Sequence, residues 1–280
     1  MSTEIIQLPA EDTAPETLCL NCSSTLKGHY CSHCGQRDHP LDPSLLDLFH
    51  ETVHEFLHLD GKIFETLKAL LFFPGRLSAD FLAGKRARFI GPIRLYLTMS
   101  LLFFVLVAHK TDKTSTTPTE KQEAAVSLGD HDSARYAWLT QAIKKAVDDP
   151  HAFYRELLSN LSHVMFLLVP LFALALRLIY SNRSLRYPSY VYFSLHYHAF
   201  VFFLFTMMLL VGLLKIDALS TAMGWIVFLG VPLYLFMAMR RVFGGTAKRT
   251  FLRLAALGAF YTPCLVVGLV AALCLTIFLG

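Results

Sequence analysis

DGKIFETLKALLFFPGRLSADFLAGKRARFIGPIRLYL, residues 60–97, separates two kinds of chain. Before it, four cysteines fall in metal-site spacing; after it, the chain turns apolar and stays mostly so to the end. Within it, Ile63, Phe64, Leu67, Leu70 and Leu71 recur at helical spacing up to Phe73. Pro74-Gly75 stops that helix. Leu77, Phe81 and Leu82 form a second short amphipathic stretch that ends at Gly84, and Lys85, Arg86 and Arg88 cluster just before Gly91-Pro92. The stretch reads as a collar at the cytoplasmic face of a membrane bundle. Its helices, residues 61–73 and 77–83, are expected to lie along the membrane surface with Phe72 and Phe73 at the boundary. Lys85, Arg86 and Arg88 then face lipid headgroups, where each charge near anionic lipid contributes about 1 kcal/mol.

Composition agrees with a membrane location. Hydrophobic residues make up 54% of the chain and charged residues only 16%, outside the soluble range and in that of a polytopic membrane protein. The net charge of +4 is small, so placement matters more than size. Residues 1–18 are acidic, lack the apolar core of a secretory signal and read as a disordered leader.

The first chemistry-bearing stretch is CLNCSSTLKGHYCSHCGQ, within residues 19–39. Cys19 and Cys22 are spaced C-x2-C, as are Cys31 and Cys34. Each such turn points two thiolates at one ion, and two turns complete the closed tetrahedral set of a structural zinc ribbon. Gly35 supplies the backbone freedom of a tight knuckle. Redox pairs or disulfides are the alternative, but so short a segment does not fold without a staple. One structural Zn2+ per chain follows, with no open position for catalysis. His29 and His33 are spare ligands.

The segment DPSLLDLFHETVHEFLHLD follows, in the collar region 40–91. Leu46, Phe49, Val53, Phe56 and Leu57 share one helical face. Another face carries two overlapping H-E-x-x-H strings: His50-Glu51 to His54, and His54-Glu55 to His58. In a metalloprotease such a helix offers two histidines to zinc and a glutamate as general base. Candidate catalytic residues are therefore His50, Glu51, His54, Glu55 and His58. A third ligand would have to come from distant His163, His196 or His198. The favoured reading is the polar side of an interfacial amphipathic helix.

Asp60-Gly61, Thr66-Leu67, Pro74-Gly75-Arg76, Gly84-Lys85-Arg86, Pro92 and Arg94-Leu95-Tyr96-Leu97, preceded by the two C-x2-C pairs and Gly35-Gln36, carry a resemblance. Together they resemble a bacterial membrane family known as domain of unknown function 3667; YVYFSLHYHAF, residues 190–200, is similar to a second block of it. The resemblance implies a zinc-ribbon-bearing inner-membrane protein. It brings no activity, so it assigns no catalytic residue.

Residues 92–280 supply the bundle, with five spans at about 92–109, 161–180, 192–214, 223–239 and 254–279, each near the ~20 apolar residues that cross a bilayer. An extracytoplasmic loop and amphipathic helix occupy 110–160. The fold class is thus mainly α: a five-span bundle with a small ribbon and interfacial helices. Lys85, Arg86, Arg88 and Arg94 precede the first span; Arg177, Arg183 and Arg186 lie between the second and third; Arg240, Arg241, Lys248, Arg249 and Arg253 lie between the fourth and fifth. Five spans bring all three clusters to one side, which the positive-inside rule makes cytoplasmic. The C-terminus is then outside and the N-terminus inside, where the reducing cytosol suits the thiolates. Cys264 and Cys274 read as small packing residues.

His196 and His198 are the intramembrane functional candidates, since ionisable groups are costly in a membrane. Two residues apart, they point to nearly opposite helix faces, one toward the bundle and one toward headgroups. Tyr187, Tyr190, Tyr192 and Tyr197 suggest an aromatic belt. Pro170, Pro232 and Pro263 are expected to kink their spans. Three functions compete. An interaction, regulatory or scaffold protein would use the ribbon for a cytosolic partner and the bundle as anchor. A small-molecule, ion or lipid transporter would use the kinked helices, but lacks buried carboxylates or lysines. A membrane metalloenzyme would use the histidine helix. The first is favoured, with the lipid bilayer and its anionic headgroups as partners; the lone Lys27 between the cysteine pairs argues against nucleic acid. The reading leans away from an enzyme.

Overall fold

The structure, a computed structural model, describes residues 18–38, 62–114, 150–180 and 185–278. The acidic leader, the segment expected to form a helix with His50, Glu51, His54, Glu55 and His58, Arg183, and residues 115–149 lie outside them. Seven α-helices account for most of the described chain: α1 Lys62–Phe72, α2 Arg76–Leu82, α3 Pro92–Thr114, α4 Pro150–Tyr180, α5 Tyr187–Leu213, α6 Asp217–Phe243 and α7 Ala247–Phe278. No strand occurs among the described residues; the ribbon contributes isolated bridges only, Leu18 with Thr25 and Tyr30 with Arg37.

Helices α3 to α7 are each long and apolar enough to cross a membrane, and the chain is a multi-pass membrane protein on that ground. Their roles differ. The most apolar 18-residue stretch of α5 is half buried inside the protein, whereas that of α7 is only 11% buried. A helix apolar all round belongs at the centre. Accordingly α5 packs against α3, α4, α6 and the collar, while α7 lies mainly along α4 and more lightly on α6. The outward apolar faces of α6 and α7 have the character that lipid requires. The α4–α7 seam closes tightly at Gly268, where an added Cβ would come within 2.6 Å of Val164 Cγ1.

Aromatic side chains fill the centre. Phe172 stacks on Tyr197 at 5.2 Å and Phe200 on Tyr234 at 3.6 Å, and Phe243 gathers Tyr180, Tyr190 and Phe193 around it. Tyr190, Tyr192 and Tyr197 are therefore buried inside the bundle, a correction to the expected aromatic belt. Composition alone does not separate a tyrosine at a headgroup from one packed among phenylalanines. The expected start of the second span near residue 161 is also corrected: α4 runs without a break from Pro150, so residues 152–160, assigned to the extracytoplasmic segment, extend that span. Pro170, Pro232 and Pro263 each sit within a continuous helix.

The collar is seated on the bundle as well as beside it. Leu70 and Leu77 are buried in the main core, and α2 contacts both α5 and α6. Phe72 and Phe73 remain exposed on the protein surface, as residues meeting lipid would. The seat is the Pro74-Gly75 turn. Gly75 adopts φ +76°, and an added Cβ would lie 2.8 Å from Ala238 Cα and 2.9 Å from Ala238 O. Arg241 Nη1 donates to the Pro74 carbonyl at 2.9 Å from the same helix. Replacing Gly75 by alanine is expected to cost about 2–4 kcal/mol, combining left-handed strain with overpacking against backbone. A fall in thermal midpoint of the detergent-solubilised protein checks this, and Ala238→Gly should give no rescue because the clash is with main-chain atoms.

Candidate metal centre and its link to the bundle

Two short loops with the same backbone wiring build the metal centre. In the first, the amide of Cys19 donates to Ser24 O and that of Ser23 to Cys19 O, both at 2.8 Å. In the second, the amide of Cys31 donates to Gln36 O at 2.8 Å and that of Gly35 to Cys31 O at 2.9 Å. Each loop needs a left-handed residue after its second cysteine: Gly35 at φ +71° and Ser23 at φ +61°. Glycine takes that conformation without penalty; Ser23 does so against its side chain. The repeat brings Cys19, Cys22, Cys31 and Cys34 together with all four sulfurs within 4.8 Å of one another.

This geometry fits a metal ion. Cys19 Sγ lies 3.6 Å from Cys34 Sγ, and Cys22 Sγ 3.5 Å from Cys31 Sγ. A tetrahedral site with metal–sulfur bonds of about 2.3 Å places its sulfurs about 3.8 Å apart. Among the described residues no other group of three or more histidines, cysteines or carboxylates gathers closely enough to hold an ion. Ser24 completes the polar surround: its Oγ lies 2.9 Å from Cys22 Sγ and 3.1 Å from Cys31 Sγ. Hydrogen bonding from that hydroxyl favours the thiolate, lowering Cys22 and pushing Cys31 down to about 5. Burial disfavours charge at Cys19 and pushes its thiol up to about 11.

Gln36, whose carbonyl closes the second loop, joins the ribbon to the collar. Its Nε2 donates to Gly84 O at 2.7 Å, and its Oε1 accepts from the amides of Arg86 and Ala87, each at 3.0 Å. One side chain thus holds three backbone groups of the turn after α2. Farther along, Thr66 Oγ1 donates to Lys62 O at 2.7 Å and accepts from the amide of Ile90 at 3.1 Å, fastening α1 to the approach to α3.

Both intramembrane histidines are interior, His196 at 4% exposure and His198 at 6%, which corrects the headgroup-facing placement for one of them. They do not share a site. His196 Nδ1 pairs with the Ser78 hydroxyl of α2 at 3.0 Å, a collar-to-bundle bond. His198 Nδ1–H donates to Ser194 O at 2.8 Å, leaving Nε2 to accept the Tyr261 hydroxyl of α7 at 2.8 Å. Ser194 in turn donates to Val169 O of α4 at 2.9 Å. His163 stands apart on an exposed face of α4, bonded to its own Ser159 carbonyl. The three basic collar residues also diverge. Lys85 lies 3.8 Å from Asp80, Arg86 stacks over Phe81 at 5.1 Å, and Arg88 lies 3.5 Å from Glu65.

Ser24, Ser78 and Tyr261 do not stand out in the sequence, and Gln36 and Thr66 stand out only as part of the family resemblance. The available signal was polarity within an apolar pattern: Thr66 lies one turn before Leu70 and Ser78 beside Leu77, and all four are buried.

With the site's geometry in view, the comparisons with known proteins add one finding. Residues 60–104 match the family described as "Protein of unknown function (DUF3667)", which bears out the resemblance read from the collar. No curated protein and no solved structure matches the chain.

Two outcomes are expected. Metal uptake must expel the Cys19 proton at any pH below about 11, whereas Cys31 joins that competition only below about 5. Apparent affinity should therefore rise with pH through neutrality and fall more steeply with acid below about pH 5, which metal titration with a competing chelator checks. Ser78→Ala should destabilise the protein by about 1–2 kcal/mol by stripping His196 of its partner, read as a lowered thermal midpoint in detergent.

Proposed function

We propose that the chain is an interaction or regulatory protein of the bacterial inner membrane, with a zinc ribbon in the cytosol mechanically coupled to a five-span bundle. The Gln36 bridge is the observation that carries this reading. It starts two residues after Cys34 and ends on the collar turn that leads back to Ser78 and His196. A metal that orders the second loop fixes Gln36, and Gln36 fixes the turn. Structural zinc contributes about 10–16 kcal/mol in small ribbons, ample to hold such a contact. A closed four-sulfur set suits zinc in a structural role and leaves the ribbon's outward face for a cytosolic protein partner.

Charge supports the orientation. Tyr180 at the end of α4 and Tyr190 at the start of α5 both pack on Phe243 at the end of α6, and Arg253 of α7 lies 4.3 Å over Tyr180. Arg177, Arg186, Arg240, Arg241, Lys248, Arg249 and Arg253 thereby share the collar's end of the bundle. The positive-inside rule puts that end, with the ribbon, in the cytoplasm and the C-terminus outside.

The test uses the full chain in detergent. One zinc per chain should leave with a strong chelator, and amide exchange at Arg86 and Ala87 should rise about tenfold while α5 keeps its protection. Another metal in its place, or unchanged exchange at those amides, would count against the proposal. In intact cells a membrane-impermeant thiol reagent should leave Cys19 and Cys34 unlabelled; labelling would reverse the orientation.

A further inference from the structure

Beside the metal-to-collar link, the collar builds a second feature. Lys68 of α1, Arg76 at the start of α2 and Arg88 of the following turn converge on one cleft of about 300 Å³. The cleft has Phe73 and Phe89 in its walls and Phe64 at its rim. Three cations face one carboxylate, Glu65, across it. Glu65 lies 3.5 Å from Arg88 Nε, and Asp80 lies 3.5 Å from Arg76 Nε. Both distances exceed the about 2.7–2.9 Å of a strong charge-assisted bond, so neither carboxylate saturates its guanidinium. Lys68 has no ion-pair partner among the described residues. The guanidinium groups are held over aromatic rings, Arg76 at 5.2 Å from the centre of Phe73 and Arg88 at 5.5 Å from that of Phe89, and so point in fixed directions. Around this charged pocket the surface is apolar and open: Phe64 is 81% exposed and Phe72 is 72% exposed.

We propose that this cleft binds the phosphate of an anionic phospholipid, with Lys68, Arg76 and Arg88 as its ligands and Phe64 and Phe72 against the acyl chains. The juxtaposition selects the occupant. A soluble phosphate would use the cations and leave two large aromatic side chains in water. A zwitterionic lipid would satisfy the aromatics but bring a positive group into a cleft already in excess of positive charge. A membrane-anchored anion satisfies both. The proposal rests on the collar lying at the membrane surface, as the proposed function has it, and it names residues other than the Lys85–Arg86 pair.

The experiment is equilibrium binding of a fluorescent phosphatidylglycerol to the full chain in detergent, with fluorescent phosphatidylcholine as comparison. Phosphatidylglycerol should bind about tenfold more tightly than phosphatidylcholine. The combined variant Lys68→Gln, Arg76→Gln, Arg88→Gln should abolish that preference, and Lys215→Gln, in the turn between α5 and α6 at the opposite end of the bundle, should leave it intact. Glycerol 3-phosphate should fail to displace the lipid. Equal binding of the two lipids, a preference that survives the combined variant, or displacement by glycerol 3-phosphate would each overturn the proposal. Should the combined variant lose its helical circular dichroism, Lys68→Gln alone replaces it, since Lys68 holds no ion pair among the described residues, and must weaken the preference. Resistance of the chain to alkaline carbonate extraction is scored separately: its loss would sink the membrane reading itself, whereas loss of lipid preference alone sinks only the cleft.

Discussion

Two backbones touch where Gly75 meets Ala238, and the collar's geometry descends from that contact. Main chain approaches main chain this closely only if one partner lacks a Cβ, and the turn bends this sharply only if that partner tolerates positive φ. Glycine meets both conditions at once. With the turn seated and Arg241 holding the Pro74 carbonyl, α2 leaves in one direction only. That direction brings Ser78 under His196, lays Phe81 against Tyr192 at 4.8 Å, and delivers Gly84 to Gln36. The fit at one turn thus helps to set the position of the metal centre that Gln36 joins to it.

Inside the bundle, polarity serves as cross-linking. His198, Ser194 and Tyr261 join α5 to α4 and α7 through groups that satisfy one another, and Asn160 donates to Thr276 at 3.0 Å to join α4 and α7 again. Hydrogen bonds between membrane helices contribute modestly, about 0.6 kcal/mol on average. Their value here lies in register: they fix which face of each apolar cylinder meets its neighbour, while stacked aromatics and the close Gly268–Val164 seam fill the space. Each partner is short and rigid enough that a rotated helix would leave a buried polar group unpaired.

What the residues reveal on their own follows from the range of the interactions. The metal centre is local: its four sulfurs come from one stretch of chain, and the C-x2-C spacing encodes their convergence directly. The five long helices are also legible, because bilayer thickness imposes a length that hydropathy records. The collar's helices show in their periodicity, but their seat does not, since it depends on Ala238 and His196, far along the chain. The histidine pair was legible as two divergent faces, yet neither partner was: Ser78 and Tyr261 carry no mark beyond polarity in apolar surroundings. The tyrosines of α5 mislead for the opposite reason. At an interface or in a core they have the same composition, and only the neighbours decide.

The long reach of the collar's contacts also sets an order of assembly. Ser78 and His196 are separated by 118 residues, and Pro74 and Arg241 by 167. At synthesis rates of about 5–20 residues per second, the collar emerges on the order of ten to thirty seconds before the helix that receives it. During that interval Leu70, Leu77 and the Ser78 hydroxyl have no bundle to enter, and the metal loops, which close within one short stretch, are already complete. The first part to form is therefore docked only once four of the five spans have been made. Seating of the collar marks the moment at which the fourth membrane helix has been inserted in register, so the joint between ribbon and bundle doubles as a record that the membrane half was built correctly up to that helix.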